Sequence, residues 1–244
     1  MALNQMKKVL FCFILFLKSL SLMSQNSLLI GVKVGPTFSR ANISDSRDVL
    51  SSPVSVFYSL GIPFNFYIKE NNILKLYFNY ALKGIAIKDK SWDNLSFGGS
   101  TITYDTKEIK IIYAYKFKQI KKYDYYVGLG PSIDFSTLWK TGKAPGEGVD
   151  TNSFSFNGND LETRTNLSLC AILGLEKQLK KNRKISLECS YNQGLKAIQT
   201  FYITLNHQGN YIKESYATKG SYFALNVHFY FLKLNIKKNQ QTNI

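Results

Sequence analysis

The side chains able to do chemistry are few. Beyond residue 24 the chain has two histidines, His207 and His228. A serine within hydrogen-bond reach of a histidine makes the nucleophile and base of an esterase or lipid deacylase. His228 with Ser186 or Ser190 is the nearest approach to such a pair. The plainer reading is a hydrogen-bonded histidine inside a fold. Lys33, Lys75, Lys110, Glu108, Asp134, Glu176 and Glu188 offer a second set. They fit a transport path or an acid–base relay, but more simply an ion-pair network between strands. In the segment 147–160, Asp150, Asn152, Asn157, Asn159 and Asp160 bring oxygen donors that suit calcium, at a spacing that matches no calcium loop. No glycine stands between a strand and a helix, where a phosphate loop needs it. The expectation is therefore no catalytic residues, no cofactor-binding residues and no metal ligands: a protein that is not an enzyme and needs no cofactor.

The elements that must hold these residues alternate with period two, the signature of strands. From 56 to 68, Val56, Tyr58, Leu60, Ile62, Phe64, Phe66 and Ile68 share one face, opposite Ser59, Gly61, Pro63, Asn65 and Tyr67. The run is longer than the five or six residues of an ordinary strand. Seven further segments repeat the contrast, near 30–38, 74–83, 108–117, 125–135, 166–176, 185–192 and 222–231. In each, Leu, Ile, Val, Phe and Tyr face Gly, Ser, Asn, Ala, Tyr and scattered charges. A soluble barrel would turn the apolar face inward and carry a heavily charged outer face. Here the second face is small and mildly polar, which suits a narrow lumen, while the first suits lipid. A soluble lipocalin-like ligand binder is the competing arrangement and needs the opposite orientation.

The connections also alternate. Short ones lie at 69–72, 119–122 and 179–183, and long ones at 40–52, 88–101, 138–161 and 197–218. That is the layout of an eight-stranded antiparallel up-and-down transmembrane β-barrel, with short turns periplasmic and long loops outside. An even strand count puts both termini in the periplasm. Eight strands leave room only for their own side chains, so no water-filled pore is expected. Trp92 and Trp139 fall in long loops, as part of an aromatic girdle or as anchors for a partner. Parity puts Cys170 in the lumen and Cys189 toward lipid, so the two are not expected to pair.

Residues 1–24 read as a signal peptide: Lys7 and Lys8, then the apolar run Val9–Leu17, then small residues up to a cut after Ser24. Residues 25–232 are then the barrel domain and 233–244 a polar periplasmic tail. The signal takes three Lys from the formal charge of +15, leaving 28 basic and 16 acidic residues, or +12. The Lys residues look scattered along strands and turns. Attraction to anionic lipid headgroups fits an exported chain better than nucleic acid does.

Several stretches carry a family likeness: GVKVGPTFS (31–39), KEIKIIYAYKF (107–117), YYVGLGPSIDF (125–135), YNQGLKAI (191–198) and YFALNVHFYF (222–231). By their order and spacing the chain resembles the PorT-like outer-membrane β-barrel proteins. The resemblance implies an eight-stranded barrel in the outer membrane of a Gram-negative cell. In such barrels the last strand often stops at an aromatic residue; Phe231 fits, but LKLNIKKNQQTNI (232–244) follows it. The expected function is a non-enzymatic barrel with a structural or interaction role. Alternatives are a component of a protein-secretion or gliding complex, and a lipid-modifying outer-membrane enzyme. Expected partners are outer-membrane lipid and a periplasmic or secretion-complex protein, and not nucleic acid.

Overall fold

The computed structural model describes residues 26–40, 50–89, 99–143, 153–158, 165–180, 183–207 and 210–236. They form twelve strands: β1 (Asn26–Ser39), β2 (Leu50–Ser51), β3 (Ser55–Tyr67), β4 (Asn72–Asp89), β5 (Gly99–Ile120), β6 (Tyr123–Lys143), β7 (Ser153–Gly158), β8 (Thr165–Gln178), β9 (Lys184–Gly194), β10 (Gln199–His207), β11 (Asn210–Thr218) and β12 (Tyr222–Ile236). Eight of them close a ring in the order β4-β3-β1-β12-β9-β8-β6-β5, with β4 pairing back onto β5. All eight pairings are antiparallel. The ring is the up-and-down barrel that the periodicity predicts, and its closure pairs the sheet edges except along one stretch between β3 and β4.

The faces also follow parity. Leu60, Leu129 and Leu173 are each more than half exposed, at 56%, 55% and 55%, whereas Lys75, Asn65 and His228 are fully buried. An apolar belt this continuous is far larger than a soluble monomer exposes. Closed strands satisfy their own backbone groups, which lets that belt face hydrocarbon. Cys170 is buried in the interior while Cys189 is half-buried on the other face, and both thiols are free.

Three features depart from the expected layout. β4, β5 and β6 run well beyond the belt, so Trp139, expected in a loop, lies within β6. The long connections 138–161 and 197–218 contain β7, β10 and β11, which form a separate three-stranded sheet in the order β11-β10-β7. These segments are rich in Phe, Tyr, Ile and Thr, which favour extended backbone. His207 ends β10 and Asn157 lies in β7, while Trp92, Asp150, Asn152, Asn159 and Asp160 lie outside the described residues. Third, β12 continues past Leu232 to pair Ile236 with Asn26.

One stretch of the wall is closed by side chains instead of a ladder. The β3–β4 register ends at Ser59↔Ala81, although β1 and β3 stay paired up to Ser39↔Ser55. Above that point hydroxyls reach the free edge of β4. Thr37 Oγ1 donates to the Leu82 carbonyl at 2.8 Å. Ser39 Oγ donates to the Gly84 carbonyl and accepts the Gly84 N–H. Ser52 Oγ donates to the Ala86 carbonyl at 2.9 Å. Each such bond contributes about 1 kcal/mol. We expect Thr37→Val with Ser39→Ala to cost about 2 kcal/mol in urea unfolding of the refolded barrel. Amide exchange should quicken at Leu82–Ala86 but not at Ile73–Asn79. Unaltered exchange along β4 would show that the hydroxyls do not hold this seam.

Candidate functional site: the barrel interior

The inward positions fill the barrel axis with three polar clusters, each built around one or two carboxylates. At mid-height Glu188 of β9 accepts from Lys75 Nζ of β4 at 3.0 Å, from Tyr77 OH at 2.8 Å and from Tyr126 OH at 3.0 Å. The Lys75 ammonium also sits 3.6 Å from the centre of the Tyr126 ring, a cation–π contact in a desolvated place. Tyr126 stands opposite Gly174 in the β6–β8 register. A Cβ at Gly174 would run into the Tyr126 ring. Glycine there gives the ring its place, and the ring gives Glu188 its third donor.

Nearer the long connections, Glu108 of β5 meets Lys83 at 2.6 Å and Lys110 at 3.1 Å. Tyr222 OH donates to both its oxygens, at 2.6 and 2.7 Å. Lys110 also donates to Asn192 Oδ1 at 2.7 Å. Asp134 takes Ser132 at 2.6 Å and Ser168 at 2.7 Å, with Lys83 at 3.5 Å. At the other end Glu176 binds Lys116 at 2.5 Å, Lys184 at 3.0 Å and Tyr67 OH at 3.0 Å, and Lys116 also meets Asp124 at 3.0 Å. Beside these clusters lies an apolar plug of Ile73, Ile112, Ile172, Ala114, Cys170, Tyr77 and Tyr126. The axis is therefore not wholly hydrophilic. Eight strands leave a bore that side chains must fill, and apolar ones fill part of it.

The seven charged residues singled out by parity all lie in this interior, and six of them join ion pairs. Lys33 is the exception: its ammonium lies over the Tyr77 ring at 5.1 Å, with no carboxylate within salt-bridge distance among the described residues. Lys83 and Lys116 belong to the network although only their inward parity marks them in sequence. The tyrosines Tyr67, Tyr77, Tyr126 and Tyr222 were the larger omission. Their inward parity was legible, but a tyrosine is equally at home in a membrane girdle, so only the fold shows them donating to carboxylates.

His228 is buried, with Nδ1 bonded to Tyr230 OH at 3.1 Å and its ring edge-on to Tyr77. Its Nε2 lies 3.8 Å from Glu188 Oε1. Ser186 stands directly across from it in the β9–β12 register. Even so, neither Ser186 Oγ nor Ser190 Oγ has a hydrogen-bond partner, and neither does His228 Nε2. The residues of a nucleophile–base pair are thus adjacent without being coupled. No group of His, Cys, Asp and Glu among the described residues has an arrangement that could hold a metal. On the outward face, Leu60, Ile62, Phe78 and Ile109 border a shallow apolar groove of about 510 Å³.

Residues 23–200 match the family described as outer membrane protein beta-barrel domain. No curated protein sequence matches the chain. Among solved structures, the outer membrane protein OprG of Pseudomonas aeruginosa is similar at 13% identity, with a TM-score of 0.48, over 86% of this chain and 96% of that one. Neisserial surface protein A is similar at 13% identity and a TM-score of 0.41, over 84% and 97%. The outer membrane enzyme PagL is similar at 10% identity and a TM-score of 0.35, over 85% and 99%.

Proposed function

Because the chain belongs to the outer membrane protein β-barrel family, we propose that it is a non-enzymatic barrel that acts through its surfaces. The observation that carries this reading is the filled axis. Glu188, Glu108 and Glu176 each tie together strands from different sides of the ring, with Lys75, Lys83, Lys110, Lys116 and four tyrosines packed between them. A solute crossing this interior would have to break several buried ion pairs at once. A substrate reaching His228 would have to displace the Tyr77 and Tyr230 rings. What remains for interaction is the exterior: the long connections, the separate sheet that grows from them, and the rim of short turns. The likeness to PorT-like barrels supports a structural or interaction role of this kind. The reading includes the placement of the short turns, and of the β1 start and β12 end, in the periplasm.

Two measurements test it. The purified barrel in planar bilayers should give no unitary conductance, and cells carrying His228→Ala should keep the lipid profile of the parent. Stepwise conductance would replace the sealed barrel with a channel. A lipid species that changes with His228 would restore the enzymatic alternative.

A further inference from the structure

We propose that the end of the barrel formed by the short connections is a collar that binds anionic phospholipid headgroups. Among the described residues, 69–71, 118–124, 177–180, 183 and 233–236 hold eight Lys or Arg against two acids, Glu70 and Asp124. The fold arranges these side chains as a ring. Lys69 sits on the β3–β4 turn, Lys121 and Lys122 on β5–β6, Lys180 and Arg183 on β8–β9, and Lys233 on β12 beside β1. Going around the barrel, every one of the four strand pairs therefore carries exposed basic side chains. Lys116 and Lys184 are not part of this ring, because Glu176 already engages them.

The geometry selects a lipid surface over a protein partner. The turns are short, and Lys121 and Lys122 alone span the gap between the paired residues Ile120 and Tyr123. Such turns cannot project far from the membrane. The collar lies directly beside outward-facing aromatics, Tyr115, Phe117 and Tyr123, which are exposed and suit the interface. Lys177 Nζ lies 5.2 Å from the centre of the Tyr123 ring. Charges held at headgroup depth on all sides complement a planar anionic leaflet, whereas a protein would contact one side. Lys121 adds to this: it has φ of 57°, a conformation that glycine or asparagine adopts more readily, yet the position carries a charge.

This inference rests on the proposed orientation only for naming the leaflet as the periplasmic one. The test uses the refolded protein in phosphatidylcholine vesicles with spin-labelled phosphatidylglycerol or phosphatidylcholine as probe. The protein should restrict phosphatidylglycerol roughly threefold or more in preference, since each basic residue near such a surface strengthens attraction about fivefold. The preference should fall as salt shortens the screening length. The quadruple variant Lys121→Gln, Lys122→Gln, Lys180→Gln, Arg183→Gln should lose most of it, and Lys196→Gln with Lys219→Gln, at the other end, should not. Equal restriction of both lipids by the wild type overturns the proposal, even if an acidic protein is captured instead. So does a quadruple variant that keeps the wild-type preference, or an equal loss in the variant at the other end. The heat-modifiable gel shift of a folded barrel is read in parallel. Its absence from the wild type would refute the barrel, a result separate from failure of the collar.

Discussion

Glu188→Gln is expected to destabilise the barrel by about 3–5 kcal/mol, the usual cost of leaving one partner of a buried ion pair without the other. The substitution keeps volume and shape, and Tyr77 and Tyr126 can still donate to an amide oxygen. What it removes is the negative charge beside Lys75, whose side chain is fully buried. The companion experiment separates charge from packing. Lys75→Met with Glu188→Gln should recover most of the loss, because the ammonium left without its carboxylate is gone while the amide oxygen still accepts from Tyr77 and Tyr126. Urea unfolding in detergent or lipid gives both numbers. If the double variant is as unstable as the sum of its singles, the pair is not what holds this layer together.

Gly130→Val should be comparably severe, costing about 3 kcal/mol at the upper end of overpacking effects and reducing the yield of folded protein. A Cβ at this position would meet the Ile111 carbonyl oxygen, with the Ile112 Cα 2.8 Å away. Both are backbone atoms of the neighbouring strand and cannot swing aside as a flexible side chain would. The control is Ala171→Val on β8, which points outward and is exposed, and it should be close to neutral. Circular dichroism melting and gel mobility of the two variants side by side decide the matter. Equal stability would mean that β5 and β6 can part at this level without cost.

The barrel was legible in the sequence because its physics is local. A strand with one face in lipid and one in a crowded bore must alternate residue by residue, and Val56–Ile68 does so with no other part of the chain in view. The inward charges at 75, 108, 134, 176 and 188 could be found by the same parity. Their partners could not, because Tyr222 and Glu108 are 114 residues apart and meet only after closure. The hydroxyl-sealed seam was hidden for a similar reason: Thr37 and Ser39 look like ordinary small lumenal residues until β3 is seen to leave β4. The Lys residues looked scattered because the segments that carry them are far apart in the chain, and only the up-and-down topology brings them to one rim. The strands inside the long connections were missed because short runs such as Ser153–Gly158 carry too few residues for period two to stand out.

The contacts across the axis also fix when the molecule becomes stable. Lys75 and Glu188 are separated by 113 residues, and Ser59 and Asn226 by 167. None of these bonds exists in a sheet that still lacks its final hairpin. Such a sheet would hold the Lys75 ammonium without its carboxylate, and two open edges, in a medium that solvates neither. Insertion should therefore proceed as a single cooperative event, in which ring closure and neutralisation of the interior happen together.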